Sequence, residues 1–428
     1  MKALRKWQSV LMGLGLLAMS NVAFAEDVLD TGDTAWVLVS TALVLMMTLP
    51  GLALFYAGMV RKKNILSTMM HSYGATAVVS VLWVVLGYSL AFSEGSMNAF
   101  VGGFANAMLA DVGLDDVSGT IPVILFVIFQ LTFAVITVAI LAGSLAERIK
   151  FGAFMWFSAA WVLLVYAPIC HWVWGGGWLT GDALDFAGGT VVHINAGVAG
   201  LVLAALLGKR KDYGKGNLAP ANLSLTLIGA GLVWVGWFGF NGGSALGANG
   251  SAAMALVVSQ VAAAIGAIAW MVCEYFARGK ASALGGASGA IAGLVGITPA
   301  AGFVDVSGAL AIGVLTAVAC FLMIQYGKRR LGIDDSLDAF GLHGVGGIVG
   351  AVLTGVFVST EIYPDAANVD MATQLWLQIE GVLATIAYSA VMTAIIGFVI
   401  KYTIGLRVDA EDEYQGLDLA IHGEKIAD

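Results

Sequence analysis

The chain consists mainly of long apolar runs separated by short polar segments. From residue 34 onward, eleven runs are long enough to cross a hydrocarbon layer as helices, for which about 17–25 residues are needed. The predicted spans cover residues 34–59, 67–92, 120–145, 151–173, 189–208, 221–241, 252–277, 283–299, 306–327, 338–357 and 374–402. This pattern predicts an all-α polytopic membrane protein with eleven transmembrane helices, followed by a tail over 403–428.

The first 25 residues form a separate pattern. The basic segment "MKALRKWQ" precedes the short apolar run "LMGLGLLAM", and Ala23-Phe24-Ala25 fits the A-x-A pattern of a cleavage site. We therefore predict a secretory signal peptide over residues 1–25 and a mature chain that begins near Glu26. An uncleaved anchor helix is the alternative, although the apolar run is shorter than a span requires.

The basic residues predict the orientation. Of the 20 Lys and Arg residues, three precede residue 26, so seventeen belong to the predicted mature chain. If that chain starts outside, all seventeen fall on the inner side, as the positive-inside rule requires. They lie at 61–63, 148–150, 209–215, 278–280, 328–330 and from Lys401 onward. The prediction is an N-out, C-in protein of the cell inner (plasma) membrane.

Composition narrows the function classes. Only 11% of the residues are charged and 59% are hydrophobic, whereas soluble chains carry about 25% charged residues. A soluble domain is therefore excluded, and nothing supports nucleic-acid binding. The three cysteines lack C-x-x-C spacing and are interpreted as packing residues. The outer loops carry acids but no bases, which hints at a cationic substrate or simply follows from the positive-inside rule.

Two predicted spans carry one histidine each in the same local pattern. "LDFAGGTVVHINAGVAGLV" contains His193 in span five, and "LDAFGLHGVGGIVGAV" contains His343 in span ten. Both read H-x-x-x-G-x-x-G, and copies five spans apart cross the membrane in opposite directions. This predicts an inverted 5+5 repeat, about 34–208 and 221–357, plus a final helix at about 374–402. In such repeats the substrate path lies near the midplane.

The glycines suggest what the histidines do. Positions i, i+4 and i+7 share a helix face, so each histidine lies on a glycine-lined face that permits close helix approach. We expect His193 and His343 to meet and to be each other's polar partner. A structural hydrogen bond between helices and a metal site are alternatives, but a metal would lack further ligands and the H-E-x-x-H motif is absent. The lining of a narrow path for a small hydrogen-bonding solute fits best.

Several further segments carry a family resemblance. In chain order they are "PGLALFYAGMVRKKN", "LAERIKF", "HWVWGGGW", "GWFGFNGGS", "SGAIAGLVGITPA" and the tail "GLRVDAEDEYQGLDLAIHGE". Together with the two histidine segments they resemble the Amt/Mep/Rh ammonium transporters, in particular the bacterial Amt branch, over essentially the whole mature chain. The resemblance implies transport of ammonium or ammonia, with methylammonium as an analogue, and no enzymatic activity, cofactor or metal. It also implies a homotrimer with one pore per subunit, embedded in membrane lipid.

The resemblance assigns residues by motif. Phe133, Trp174 and Ser244 correspond to a substrate recruitment site, Phe133 and Phe240 to a phenylalanine gate, and Trp237 to the pore wall. An indole face attracts a monovalent cation, and a serine hydroxyl can accept a hydrogen bond that potassium cannot donate. A hydrophobic constriction opposes the passage of hydrated ions.

Two aspartates are expected to support the path. Asp185 lies near the outer end of span five and Asp338 near the cytoplasmic end of span ten. We interpret both as groups that cap helices and orient backbone amides, with attraction of the cation as the alternative for Asp185.

The resemblance also implies a mechanism and a partner. Ammonium is recruited outside, gives up its proton, passes the twin histidines as ammonia and is reprotonated inside. An Rh-like neutral gas channel and an ammonium sensor or transceptor are the alternatives. A cytosolic PII-type regulator is implied at the inner face, with the tail 403–428 as its docking surface unless that tail is disordered.

Overall fold

The computed structural model describes residues 28–216 and 218–426, so the predicted signal peptide lies outside the described residues. Within the described ranges, eleven helices are long and apolar enough to span a membrane, which confirms the predicted number. Spans 1 to 11 are, in order, Thr31–Met59, Lys62–Phe92, Val123–Ser144, Phe151–Trp174, Gly189–Leu207, Leu223–Gly242, Gly250–Arg278, Ala283–Ala300, Val306–Leu331, Phe340–Phe357 and Met371–Thr403.

Polar caps fix where several spans begin. The side chain of Asn249 accepts the Ala252 N–H at the start of span 7, and Asp370 accepts the Ala372 and Thr373 N–H groups at the start of span 11. Such caps satisfy amides that have no partner inside the helix. The observed bounds of the spans differ from the predicted ones by at most about five residues.

Seven of the described spans contain a π-helical turn, four within the span and three at one of its ends. Three of these turns, Gly189–Ile194, Phe238–Gly242 and Phe340–Gly344, carry His193, Phe240 and His343. A π turn inserts one residue into the α-helical register and is frequent at functional sites. The π turns therefore place three of the predicted site residues at local irregularities of their helices.

Burial separates inner from peripheral helices. Spans 3, 5 and 8 have 78% of their most apolar windows buried, whereas spans 7 and 11 have only 33% buried. Spans 3, 5 and 8 are therefore inner helices, and spans 7 and 11 are peripheral in the single chain.

Loops at one end of the bundle are joined by buried ion pairs. Glu147 contacts Arg61 at 3.1 Å and Arg210 at 3.2 Å, and Arg210 also contacts Asp334 at 2.9 Å. Burial alone would raise the pKa of Glu147, but Arg210 and Arg61 outweigh it and hold that pKa below its ordinary value. We call this end, formed by the loops before spans 2, 4, 6 and 10, the basic face.

The opposite end, which we call the acidic face, is held by other contacts. The Asp33 carboxylate accepts the Thr120 hydroxyl at 2.5 Å and the Ala248 N–H at 2.7 Å. A small antiparallel hairpin, Val117–Ser118 with Ile121–Pro122, lies in the loop before span 3. These contacts join the start of span 1 to the loops before spans 3 and 7.

The tail is folded against the basic face. Its two short helices, Ala410–Gln415 and Leu417–His422, follow span 11. The Asp418 carboxylate accepts the N–H groups of Leu66 and Ser67, at 3.1 and 2.7 Å. Arg407 pairs with Glu413 at 2.7 Å within the tail. The described part of the tail is therefore ordered on its own chain and caps the start of span 2.

Candidate functional site

The two histidines predicted to meet lie side by side in the structure. His343 Nδ1 is 3.2 Å from His193 Nδ1, and the ring centroids are 5.2 Å apart. The exposed fractions of the two residues are 3% and 0%. One ring nitrogen must carry the hydrogen and the other accept it, so the pair satisfies part of its own hydrogen-bonding capacity.

Glycines permit this approach. A Cβ on Gly197 would lie 2.4 Å from Gly344 N, and a Cβ on Gly350 would lie 2.2 Å from Gly296 O. Side chains cannot be accommodated at such distances without a backbone shift. The glycines of the H-x-x-x-G-x-x-G pattern therefore bring spans 5 and 10 against each other and against span 8.

A buried aspartate caps the start of each π turn that carries a histidine. Asp185 accepts the N–H groups of Gly188, Gly189, Thr190 and Val191 at 2.5–3.1 Å, and also the Thr190 hydroxyl. In span 10, Asp335 accepts the N–H groups at 339, 340 and 341, at 3.1, 2.9 and 3.4 Å. Both aspartates lie eight residues before their histidine (193 − 185 = 8; 343 − 335 = 8).

The predicted capping role of Asp338 is therefore wrong. Within the described residues no backbone N–H donates to its carboxylate, and its Oδ1 instead accepts Lys328 Nζ at 2.6 Å. The N–H groups at the start of span 10, at 339, 340 and 341, are accepted by Asp335 instead. The shared spacing of eight residues before the histidine identifies Asp335, rather than Asp338, as the counterpart of Asp185.

The two predicted gate residues form a stacked pair. The Phe133 and Phe240 ring centroids are 4.3 Å apart with an interplanar angle of 17°, and each side chain is at most 1% exposed. Phe240 lies 5.9 Å from the His193 ring. The stacked rings therefore separate the histidines from the side of the bundle that carries Trp174.

Trp174 and Ser244 lie on the acidic-face side of the stacked rings. Trp174 packs edge-on to Phe133 at 5.9 Å and 87°, and its indole N–H donates to Asp185 O at 2.8 Å. The Ser244 hydroxyl donates to Phe240 O at 2.8 Å. Since its only hydrogen is used in that bond, the Ser244 oxygen is left as an acceptor.

These residues line a cavity of about 310 Å³. Its walls are Phe92, Phe126, Phe129, Gln130, Phe133, Val173, Trp174, Phe186, Ser244 and Leu246. Phe129, which was not predicted, packs edge-on to Phe133 at 5.0 Å. The i, i+4 spacing in "FQLTF" could have indicated that both rings share one helix face.

Trp237 lies against the histidine pair. Its ring is stacked on His193 at 5.3 Å and 22°, and its indole N–H donates to the Thr298 hydroxyl at 2.8 Å. Thr298, which was also not predicted, therefore fixes the orientation of the wall residue.

The rings form one continuous row through the chain. From Trp174 through Phe133, Phe240 and His193 to His343, successive centroids are 5.9, 4.3, 5.9 and 5.2 Å apart. The row offers apolar surfaces and neutral hydrogen-bonding groups but no carboxylate, so it suits a small neutral solute better than a hydrated ion. Among the described residues, no group of three or more His, Cys, Asp or Glu could hold a metal ion.

The eleven apolar helices define a multi-pass membrane protein, and the row of rings lies inside its single chain. The chain belongs to the Ammonium Transporter Family, whose sequence pattern matches residues 35–426. This confirms the resemblance found in the sequence, and it places the chain among transporters rather than enzymes.

Curated relatives and solved structures agree. An ammonium transporter of Aquifex aeolicus is 49% identical over 97% of this chain and 98% of its own length. One of Bacillus subtilis is 49% identical over 93% of this chain and 98% of its own length. The crystal structure of Saccharomyces cerevisiae Mep2 matches with a TM-score of 0.83 and 37% identity, over 90% of this chain and 91% of that one. A structure described as a sensor Amt protein matches with a TM-score of 0.85 and 29% identity, over 91% and 98%.

Proposed function

We propose that this protein carries ammonium across the cell membrane through a narrow hydrophobic pore in each subunit. The observation that carries the proposal is the contact between His193 and His343 at the end of the ring row, 3.2 Å between their Nδ1 atoms. Two buried histidines on glycine-lined helices supply donors and acceptors in an otherwise apolar path. They suit ammonia, which is small, neutral and able to both donate and accept hydrogen bonds.

Recruitment takes place in the cavity at the acidic face. Ammonium lies against the Trp174 indole and donates a hydrogen bond to the Ser244 oxygen, which potassium cannot do. The stacked Phe133 and Phe240 rings then oppose any hydrated ion. Ammonium gives up a proton before this gate, and the neutral molecule continues past Trp237 to the histidines.

The orientation and layout follow from the sequence prediction. Residues 1–25 are a cleaved signal peptide, the mature chain is N-out and C-in in the inner membrane, and residues 403–428 are a cytoplasmic tail. The inverted repeat is supported by Asp185 and Asp335, which cap corresponding π turns eight residues before the two histidines. The joined basic loops of the basic face agree with a cytoplasmic position.

The assembly is a homotrimer, and its basic face is the docking surface for a cytosolic PII-type regulator. Support comes from the resemblance to the Amt branch and from the ordered tail, where Asp418 bonds to the start of span 2 and Glu413 to the loop before span 6. A regulator that displaces these contacts would loosen the start of span 2.

Transport of purified protein in proteoliposomes tests the function. We expect saturable uptake of radiolabelled methylammonium that ammonium inhibits and potassium does not. The external pH should also be varied at constant total substrate concentration. If the cation is recruited, uptake should follow the concentration of the protonated form. Uptake that follows ammonia without saturation would indicate an Rh-like gas channel, and absence of uptake by folded protein would indicate a sensor. Current recorded on the same vesicles shows whether charge moves with the substrate.

A further inference from the structure

An apolar groove lies on the outer surface between spans 4 and 11, in the half of the bundle nearer the basic face. It has a volume of about 380 Å³ and is lined by Trp156, Ala160, Leu164, Ile395, Ile396, Val399, Ile400, Thr403 and Ile404. We call it the lateral groove. None of these nine residues carries a charge, and the Thr403 hydroxyl is used by Val399 O at 2.8 Å. The lateral groove therefore suits an apolar occupant.

Contacts between the two spans close the lateral groove at both ends. On the acidic-face side, the Tyr388 hydroxyl donates to Leu164 O at 3.0 Å. On the basic-face side, Lys150 Nζ donates to Ile404 O at 3.5 Å, and the Lys150 N–H donates to Leu406 O at 2.9 Å. The two spans are thus joined on either side of a section where they leave space between them.

The lateral groove faces the hydrocarbon of the bilayer. Both of its spans are long and apolar enough to cross a membrane. Its walls are exposed, with Trp156 at 67% and Val399 at 59%, whereas Ile396 at its floor is 6% exposed. From Ile395 to Ile404 the groove is about 14 Å long, at a rise of about 1.5 Å per residue. This length is close to half of a hydrocarbon core about 30 Å thick, so the groove spans one leaflet.

The volume limits what can fill the lateral groove. A helix is about 10 Å across, so a helical segment about 14 Å long occupies about 1,000 Å³. This is more than twice the volume present, so a helix from a second copy of the chain does not fit into the groove. A single acyl chain is unbranched and flexible, and it can follow a narrow apolar channel of this length.

A cation lies at the basic-face end of the lateral groove. Lys150 directly precedes span 4, and its Nζ contacts the carbonyl of Ile404, which is one of the lining residues. An ammonium group has three hydrogens, so this bond leaves two for an anion. Among the described residues, no carboxylate pairs with Lys150. Lysines next to a span attract the anionic lipid headgroups of the cytoplasmic leaflet.

We propose that the lateral groove binds one acyl chain of an anionic phospholipid and that Lys150 holds its phosphate. The site goes beyond the proposed transport function and does not depend on it. Only its assignment to the inner leaflet rests on the proposed C-in orientation. Because Lys150 also bonds to Ile404 and Leu406, where span 11 passes into the tail, the bound lipid stabilises this junction.

Labelling with a photoreactive lipid tests the site. The full-length protein should be placed in phosphatidylcholine nanodiscs that contain a small fraction of phosphatidylglycerol with a diazirine on one acyl chain, and labelled peptides should be identified by mass spectrometry. We expect labels on segments 156–164 and 395–404. Unlabelled phosphatidylglycerol should compete with this labelling, and inorganic phosphate should not. The same diazirine on phosphatidylcholine should label both segments about fivefold less, because it lacks the net negative charge.

Three variants separate the headgroup from the chain. Lys150→Gln keeps the backbone bond to Leu406 and removes the cation, so labelling by the phosphatidylglycerol probe should fall about fivefold. Val399→Trp fills the groove and should abolish labelling of both segments. Lys280→Gln is the matched control, because it removes an exposed lysine that follows span 7 and lies outside the groove lining. Its labelling should equal that of the wild type.

Equal labelling by the two probes would overturn the proposal. Unchanged labelling in Lys150→Gln would also overturn it, and this holds even if Val399→Trp fails to fold. Labels spread over the outward faces of spans 7 and 11 in proportion to exposure would show bulk lipid only. Competition by inorganic phosphate would indicate a phosphate site, and cross-links between two copies at these segments would indicate a protein interface. Each of these results contradicts a lipid in the lateral groove.

Discussion

At the residue scale, Trp174 combines a fixed position with an available surface. Its N–H is held by Asp185 O at 2.8 Å, and Phe133 meets it edge-on. The indole borders the cavity and can attract a cation there. The bond to Asp185 uses the N–H at the ring edge and leaves the ring face available.

Trp174→Leu should therefore weaken capture more than turnover. Loss of about 0.5–2 kcal/mol of cation–π attraction corresponds to an increase of about 2- to 30-fold in the half-saturating ammonium concentration. With methylammonium as the analogue of ammonium, its uptake as a function of its own concentration measures this increase, and high concentrations should partly restore the rate.

Trp174→Phe is the control for this prediction, because it keeps an aromatic face, though a smaller one, and removes the N–H that bonds to Asp185. It should lie between wild type and Trp174→Leu. An unchanged concentration dependence in the leucine variant would mean that Trp174 is only an interfacial anchor.

At the element scale, close packing of small residues brings the histidines together. Gly197 lies against Gly344 with no space for a Cβ. The histidine contact is a property of the whole helix pair rather than of two side chains.

Gly197→Ala should force spans 5 and 10 apart, at a cost of about 1–3 kcal/mol from overpacking. We expect a lower melting temperature and reduced uptake. Gly231→Ala is the matched control, because nothing lies within 4 Å of a Cβ there, and alanine favours helix. If both variants melt and transport alike, close approach at Gly197 is not required.

The sequence allowed the spans to be predicted because their apolar runs are long and their loops are charged. Repetition of His193 and His343 with the same glycine spacing was sufficient to predict that they meet. The π turns could not be predicted, because each depends on which backbone carbonyls remain unpaired after packing. The capping role of Asp335 could not be predicted either, because it depends on which carboxylate reaches the backbone amides in the folded chain. A second aspartate, Asp338 in "LDAF", lies closer to His343 in the sequence.

At the scale of the whole molecule, buried ion pairs connect the loops of the basic face. Glu147 is 2% exposed and joins Arg61 to Arg210, which in turn holds Asp334. Removal of one member leaves buried charge incompletely paired, which costs more than an exposed pair would.

Glu147→Gln should lower the free energy of unfolding by about 3 kcal/mol at neutral pH. The lowered pKa of Glu147 means that its contribution is present above the ordinary carboxyl pKa of about 4.3 and is lost as the pH falls through the lower value in the folded protein. Thermal unfolding in detergent from pH 7 downward measures both effects, and the variant should lose less stability on acidification.

Glu361→Gln, at an exposed position, should melt like the wild type at every pH. Equal melting temperatures for wild type and Glu147→Gln would show that the pairs contribute nothing to stability.

The central claim is that ammonia passes along His193 and His343. Current and methylammonium uptake should be measured on the same proteoliposomes for His193→Ala, His343→Ala and the double variant. Each single change leaves the partner histidine without its hydrogen bond, at a cost of about 1–3 kcal/mol, so the folded protein should persist. His71→Ala, which removes a buried histidine that packs on Phe154 at 4.7 Å, is the control and should keep wild-type selectivity. We predict reduced current or potassium leak in both single variants and little further change in the double variant, because either substitution breaks the same pair. Wild-type ammonium current with wild-type selectivity in all three would contradict the account and leave the pair as a helix-packing hydrogen bond.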